Sequence, residues 1–142
     1  MFQGRSALSL DVKGRMTVPA RHRDTLITQC AGQLTLTRHP DGCLLLYPRP
    51  VWESVRERIA ALALSASAWK RFFLGHATDV ALDGVGRMLI VPELRQSAGL
   101  GKEVVLLGMG AHFEIWDEGV LAHNEAAAMA GGLPAALADL SI

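Results

Sequence analysis

The sequence has no net charge. Fourteen Lys and Arg residues balance fourteen Asp and Glu, which weighs mildly against a nucleic-acid binder, since such proteins ordinarily carry a basic excess. Cysteine is scarce: Cys30 and Cys43 are the only two. They lack C-x-x-C spacing and ligand partners in register, so they read as buried thiols in a reducing cytosol rather than a disulfide framework. No apolar run approaches the ~20 residues that span a bilayer, and Arg5 interrupts the one apolar stretch near the start, so neither a membrane span nor a signal peptide is expected. The five histidines, His22, His39, His76, His112 and His123, show no H-x-x-x-H or H-E-x-x-H spacing. No metal and no cofactor are therefore expected. G-x-S-x-G and phosphate-loop motifs are absent, and Gly84-Val85-Gly86 lacks the third glycine of a dinucleotide fingerprint. Asp11 and Asp83 are more economically turn residues than an acid/base pair. No catalytic constellation stands out, so an enzyme acting on a small-molecule substrate is not expected.

What the chain does have is a repeat. Leu10-Asp11-Val12-Lys13-Gly14-Arg15-Met16 recurs as Leu82-Asp83-Gly84-Val85-Gly86-Arg87-Met88 at an offset of 72 residues. Continuing to Arg23 and Arg95, six of fourteen positions are identical, where ordinary composition gives roughly one. A fixed-offset repeat means one structural unit used twice. With 142 residues, half of them hydrophobic, the chain is large enough to bury a real core.

Each copy reads in the same order. Ala7–Leu10 and Val80–Leu82 are strands, Asp11–Gly14 and Asp83–Gly86 are turns with Asp first and Gly fourth, and Met16–Val18 and Met88–Val91 return. Each turn is thus expected to join a hairpin. Pro19 and Pro92 open short helices. Proline lies eight residues after Asp11 but nine after Asp83, which predicts a one-residue shift in where the second helix starts. Leu34–Thr37, Cys43–Tyr47, Glu103–Leu107 and Phe113–Trp116 supply the remaining strands. One unit of about 45 residues is near the lower limit for independent stability, so two units sharing a core predict a pseudo-two-fold monomer. Trp52, Val55, Ile59 and Leu62 recur at helical spacing between the units, followed by Trp69, Phe72, Phe73 and Leu74 as packing surface. The expected organisation is a first repeat over 5–50, a helical linker over 51–76, a second repeat over 77–119 and a helical tail over 120–142.

Charge is distributed unevenly. Residues 1–23 carry +4 and residues 114–142 carry −5, which suggests two faces with different partners, or simple chance. Arg15 and Arg87 each follow a turn glycine, where a side chain can project into solvent. Their guanidinium forks suit phosphate oxygens and guanine O6/N7. Lys13 adds charge to the first turn, whereas its counterpart is Val85, so the first turn is expected to grip nucleic acid harder. The plainer alternative is that each arginine pairs with its own turn aspartate and only locks the turn.

At these residues the chain resembles the MraZ family of bacterial transcriptional regulators, related to the AbrB/SpoVT group. The resemblance includes Met1-Phe2 with Gly4, Leu10-Asp11, Gly14-Arg15, Val18-Pro19, Cys43–Pro48, Leu74–Ala77, Asp83 with Gly86-Arg87, Leu94-Arg95, Ala98–Leu100, Lys102–Leu106 and Phe113–Asp117. It departs in a short linker around Leu62–Trp69 and a short Ala-rich tail. The family implies a mainly β fold with helices (α+β), an AbrB-like swapped-hairpin-type β-barrel formed by two tandem pseudo-symmetric repeats in one chain. It implies a ring-shaped homo-oligomer in the cytoplasm and nucleoid that binds short direct repeats of double-stranded DNA. These lie in the promoter of the division and cell-wall gene cluster that includes the regulator's own gene. The family's DNA-contacting arginine falls on Arg15, supported by Lys13, with Arg87 its second-copy counterpart and Arg21 peripheral. A reading from a different class is a structural oligomeric assembly module that recruits protein partners through the apolar linker and acidic tail.

Overall fold

A computed structural model describes all residues 1–142. The chain runs β1 (Arg5–Ser9), β2 (Arg15–Thr17), α1 (Ala20–Cys30), β3 (Gln33–Arg38), β4 (Leu44–Pro48), α2 (Arg49–Ala60) and α3 (Ser67–Leu74). It continues β5 (Thr78–Ala81), β6 (Arg87–Leu89), α4 (Pro92–Ser97), β7 (Glu103–Gly108), β8 (Phe113–Asp117), α5 (Glu118–Ala130) and α6 (Ala135–Ala138). The fold is mixed α+β, mainly sheet with helices. No helix is long and apolar enough to cross a membrane.

Six strands form one antiparallel sheet in the order β1-β7-β8-β4-β3-β5, and β2 pairs with β6 in a separate ribbon. Exchanging the two repeats maps this order onto itself. The pseudo-two-fold therefore runs between β4 and β8 and between β2 and β6. The first strand of each repeat pairs with the third strand of the other, β1 with β7 and β5 with β3. The repeats are interleaved rather than docked.

The expected hairpins are corrected by this pairing. Asp11 N–H donates to the Arg15 carbonyl and Gly14 N–H to the Asp11 carbonyl, so the turn itself is tight. Beyond it the arms separate, β1 to β7 and β2 to β6. The physical reason is burial. Met16, Val18, Met88 and Ile90 join Leu34, Leu36, Leu44, Leu46, Val104, Leu106, Phe113 and Ile115 in one core of 17 buried residues. That core needs apolar faces from both repeats, so each arm pairs across to reach it.

The other face of the sheet is also covered. Cys43, Val105 and Trp116 pack against Leu121 of α5. Leu45, Tyr47 and Trp52 pack with Val55, Phe73 and Leu74 from α2 and α3. Both faces of β4 are thus buried, which is why Cys43–Tyr47 reads as an unbroken apolar run. Leu62 lies beyond the end of α2 and is half exposed, so the helical stripe stops at Ile59.

The predicted one-residue shift of the second helix does not occur. Ala20 and Pro92 begin their helices at the same 72-residue offset. Pro19 stands at the position before the helix and Pro92 at its first residue. What the helix start requires is a carbonyl: Pro19 accepts from His22 and Arg23 N–H, and Val91 accepts from Leu94 and Arg95 N–H. Proline keeps its carbonyl and a φ near the helical value, so either position accommodates it. The two charged ends also meet, since Arg5 pairs with Glu125 of α5 at 3.1 Å.

Candidate nucleic-acid interface

The β2–β6 ribbon holds both turn arginines. Its register pairs Arg15 with Leu89, Met16 with Met88 and Thr17 with Arg87, extended by Val18 N–H to the Gly86 carbonyl and Ile90 N–H to the Gly14 carbonyl. Side chains alternate along a strand. Met16 and Met88, at 0% and 1% exposure, face the core. Arg15, Thr17, Arg87 and Leu89 take the opposite face. Arg15 and Arg87 are diagonal neighbours in this register, a relation that sets Cβ atoms roughly 7–8 Å apart.

Each turn is built the same way. Asp11 Oδ1 accepts from the N–H groups of Lys13 and Arg15, and its Oδ2 accepts from Arg15 Nε at 2.7 Å. Asp83 Oδ1 accepts from Val85 and Arg87 N–H, and its Oδ2 from Arg87 Nε at 2.8 Å. An Asp side chain closing its own turn is the Asx arrangement. The turn-locking role of the arginine is thus seen directly, and it does not use the whole guanidinium. Each locks its turn through Nε, and the two terminal nitrogens donate to nothing in the chain. The aspartate fixes the guanidinium plane and leaves its outer edge free. Lys13 is exposed at the tip of the first turn; the second tip is Gly84-Val85.

These hydrogen bonds hold both carboxyls below their ordinary range, chiefly through the backbone N–H of the following arginine. For Asp83 the value is lowered from 3.8 to about 2. A depressed carboxylate stabilises the fold above its unfolded value and loses that contribution as pH falls through the folded one. The Asp83 side chain should titrate near pH 2 in a carboxyl-resolved NMR experiment on the folded protein; a midpoint at or above 3.8 would overturn this account of the turn.

The structure also gives a role to Arg23 and Arg95, which the repeat showed as identical but left unassigned. Gly14 and Gly86 both have φ of +83°. A Cβ on Gly14 would collide with the Arg95 guanidinium, and a Cβ on Gly86 with Arg23. Each repeat's helix arginine thus seats against the turn of the other repeat. Their periodic match in sequence was the available signal; the contact across repeats was not. Arg21 lies elsewhere: it donates to Ser6 Oγ at 2.7 Å and to His22 Nε2 at 3.2 Å, touching neither turn. His22 is buried against Phe2 and Phe113, and burial pulls its pKa below the ordinary imidazole value.

One mixed donor cluster is not visible in local spacing, because β8 brings Glu114 to His39 and Cys43 of the β3–β4 loop. Ligand atoms of His39, Cys43 and Glu114 lie within 4.8 Å of one another. Thiolate, imidazole and carboxylate form a donor set suited to zinc, although tetrahedral coordination needs a tighter spacing of ~3.5 Å. No hydrogen bond joins the three side chains: His39 Nδ1 accepts from Asp41 N–H and Glu114 accepts from Trp116 Nε1. Burial pushes the Cys43 thiol well above its ordinary pKa.

Comparison with known proteins gives the family. A family model described as "MraZ protein, putative antitoxin-like" matches residues 1–72 and 73–120, one match for each repeat. The chain is 63% identical to a protein named transcriptional regulator MraZ from Janthinobacterium sp. (strain Marseille), over 99% of both chains. Proteins of the same name from Herminiimonas arsenicoxydans and Cupriavidus pinatubonensis are 62% and 63% identical over the same extent. By its doubled turn, its two repeats and its full-length similarity, this chain belongs to the MraZ family.

Proposed function

We propose that this protein is a sequence-specific DNA-binding transcriptional regulator that works in the cytoplasm, on the nucleoid, as a ring-like homo-oligomer. The observation that carries the reading is the outer face of the β2–β6 ribbon. Two guanidinium groups stand diagonally across it, each held by its own aspartate with the terminal nitrogens free. A two-stranded ribbon fits the major groove, where arginine reads guanine. The names of the relatives support the regulatory role. Arg15 with Lys13 is the main contact, Arg87 secondary and Arg21 peripheral. The DNA target is a set of short direct repeats in the promoter of the division and cell-wall gene cluster.

A neutral chain with two small basic turns binds DNA weakly alone. Several copies held at the spacing of the direct repeats gain orders of magnitude through effective concentration. Leu64 and Trp69, 87% and 51% exposed on the linker, favour self-association through that segment. The alternative of a structural assembly module recruiting protein partners rests on the same exposed residues, and it predicts shallow salt dependence and no preference for repeats. A footprint on the DNA upstream of the protein's own gene, with the mass of the free oligomer measured alongside, separates the two. Protection confined to regularly spaced repeats by an oligomer is expected. Uniform or absent protection would overturn the regulator reading.

A further inference from the structure

The two turns differ in what lies beside them. A cleft of about 370 Å³ opens next to the first turn, lined by Leu10, Asp11, Val12, Arg95, Leu100, Gly101 and Lys102. The Arg95 side chain makes no hydrogen bond or ion pair within the chain, and its Nε, like that of Arg23, is buried without a partner. With no partner inside the chain, the terminal guanidinium nitrogens of Arg95 keep their donors for a group outside it. Lys102 is exposed, and its backbone carbonyl accepts from Leu10 N–H, which ties it to the base of the turn. The Asp11 carboxylate on the cleft wall is already occupied by Lys13 N–H and Arg15. The unpaired charge facing the cleft is therefore positive.

The second turn has no such site. Arg23, the counterpart of Arg95, shares the unpaired Nε but donates its Nη2 to the Val18 carbonyl at 3.0 Å, which ties its guanidinium into the chain. The counterpart of Lys102 at the 72-residue offset is Cys30, at the end of α1, whose thiol contacts the Leu26 carbonyl. The counterpart of Lys13 is Val85.

We infer that the cleft between Arg95 and Lys102 is a binding site for a phosphate of the DNA backbone, present once per chain, beside the first turn only. The inference rests on the DNA-binding reading and adds to it a division of labour. Arg15 reads base edges, while Arg95 and Lys102 hold the strand next to it and set the register. Such a contact is indifferent to sequence and sensitive to salt. Each neutralised phosphate contributes about 0.9 to the slope of log affinity against log salt, or about 3.5-fold in affinity between 50 and 200 mM.

The test uses the full-length protein in its native assembly, with a duplex carrying the upstream repeats and a random duplex of equal length. Affinities are measured across that salt range for the parent, Lys102→Gln, Arg95→Gln and Arg56→Gln. Lys102→Gln alters an exposed side chain with no partner, so it remains decisive even if Arg95→Gln loosens the first turn. Lys102→Gln should weaken both duplexes by a similar factor and lower the salt slope by about 0.9 for each engaged protomer. Arg56→Gln, on exposed α2, should leave the slope unchanged. An unchanged slope in Lys102→Gln, with Arg15→Ala still losing the repeats, would overturn the phosphate site and leave the regulator reading intact. Absence of binding by the parent protein would overturn both.

Discussion

Arg15→Ala should abolish recognition of the promoter repeats while the fold and the assembly persist. A bidentate arginine–guanine contact discriminates by about 1–3 kcal/mol. An assembly seated on two repeats loses that contact twice, so affinity should fall from about 30-fold to more than 10⁴-fold, measured by fluorescence anisotropy at moderate salt. The structural loss is small by comparison. Arg15 contacts only Asp11 through an ion pair, 29% and 34% exposed on its two sides, and exposed pairs contribute about 0–1 kcal/mol. Met16 still anchors the strand in the core, fully buried. Light scattering should therefore show the same assembly mass. Arg15→Lys should recover non-specific binding without the preference for repeats, because an ammonium keeps the charge and loses the planar fork. Arg87→Ala should cost less, since its turn lacks both the lysine and the open cleft. Equal affinity of Arg15→Ala and parent for the repeats would remove the ribbon from the recognition surface.

Gly86→Ala should be among the most destabilising single-methyl additions available to this chain, and Gly14→Ala should differ from it in kind. Both glycines sit at φ of +83°, where a Cβ is strained, a cost of about 1–3 kcal/mol. At Gly86 the new methyl also meets Arg23 near its Nε and Cδ, with the guanidinium anchored on the Val18 carbonyl. Displacing it adds overpacking and a lost hydrogen bond, for a total of about 3–5 kcal/mol. At Gly14 the methyl meets the guanidinium end of Arg95, which has no hydrogen bond to lose when it is displaced. Gly14→Ala should cost only the backbone strain, yet weaken DNA binding by expelling Arg95 from the cleft. Chemical denaturation of both variants checks the ranking. Equal stability losses would show that the two arginines are equally anchored.

The turns themselves were legible. Asp11, Gly14, Asp83 and Gly86 act within five residues through their own backbone, so the Asx closure and the left-handed glycine follow from local chemistry. The strands β3, β4, β7 and β8 were legible for a similar reason, because an apolar run or alternation records burial directly. Even the doubled Arg23 and Arg95 were visible as a repeat. Their task was not, since a contact between a helix of one repeat and a turn of the other leaves no mark on spacing. The same holds for the partners of β1 and β2 and for the approach of Glu114 to His39 and Cys43, each joined across long stretches of chain.

The sequence by itself therefore determined the duplicated Asp-x-x-Gly-Arg turn, the family, and the inequality of Lys13 against Val85. The tertiary structure decided that the hairpin arms part, that both arginines share one face of a single ribbon, and that Arg95 stays open while Arg23 is tied. The division has one physical cause. Turn chemistry is set by dihedrals and hydrogen bonds among neighbours, whereas strand pairing is chosen by whichever distant edge lets both repeats bury their apolar faces in one core.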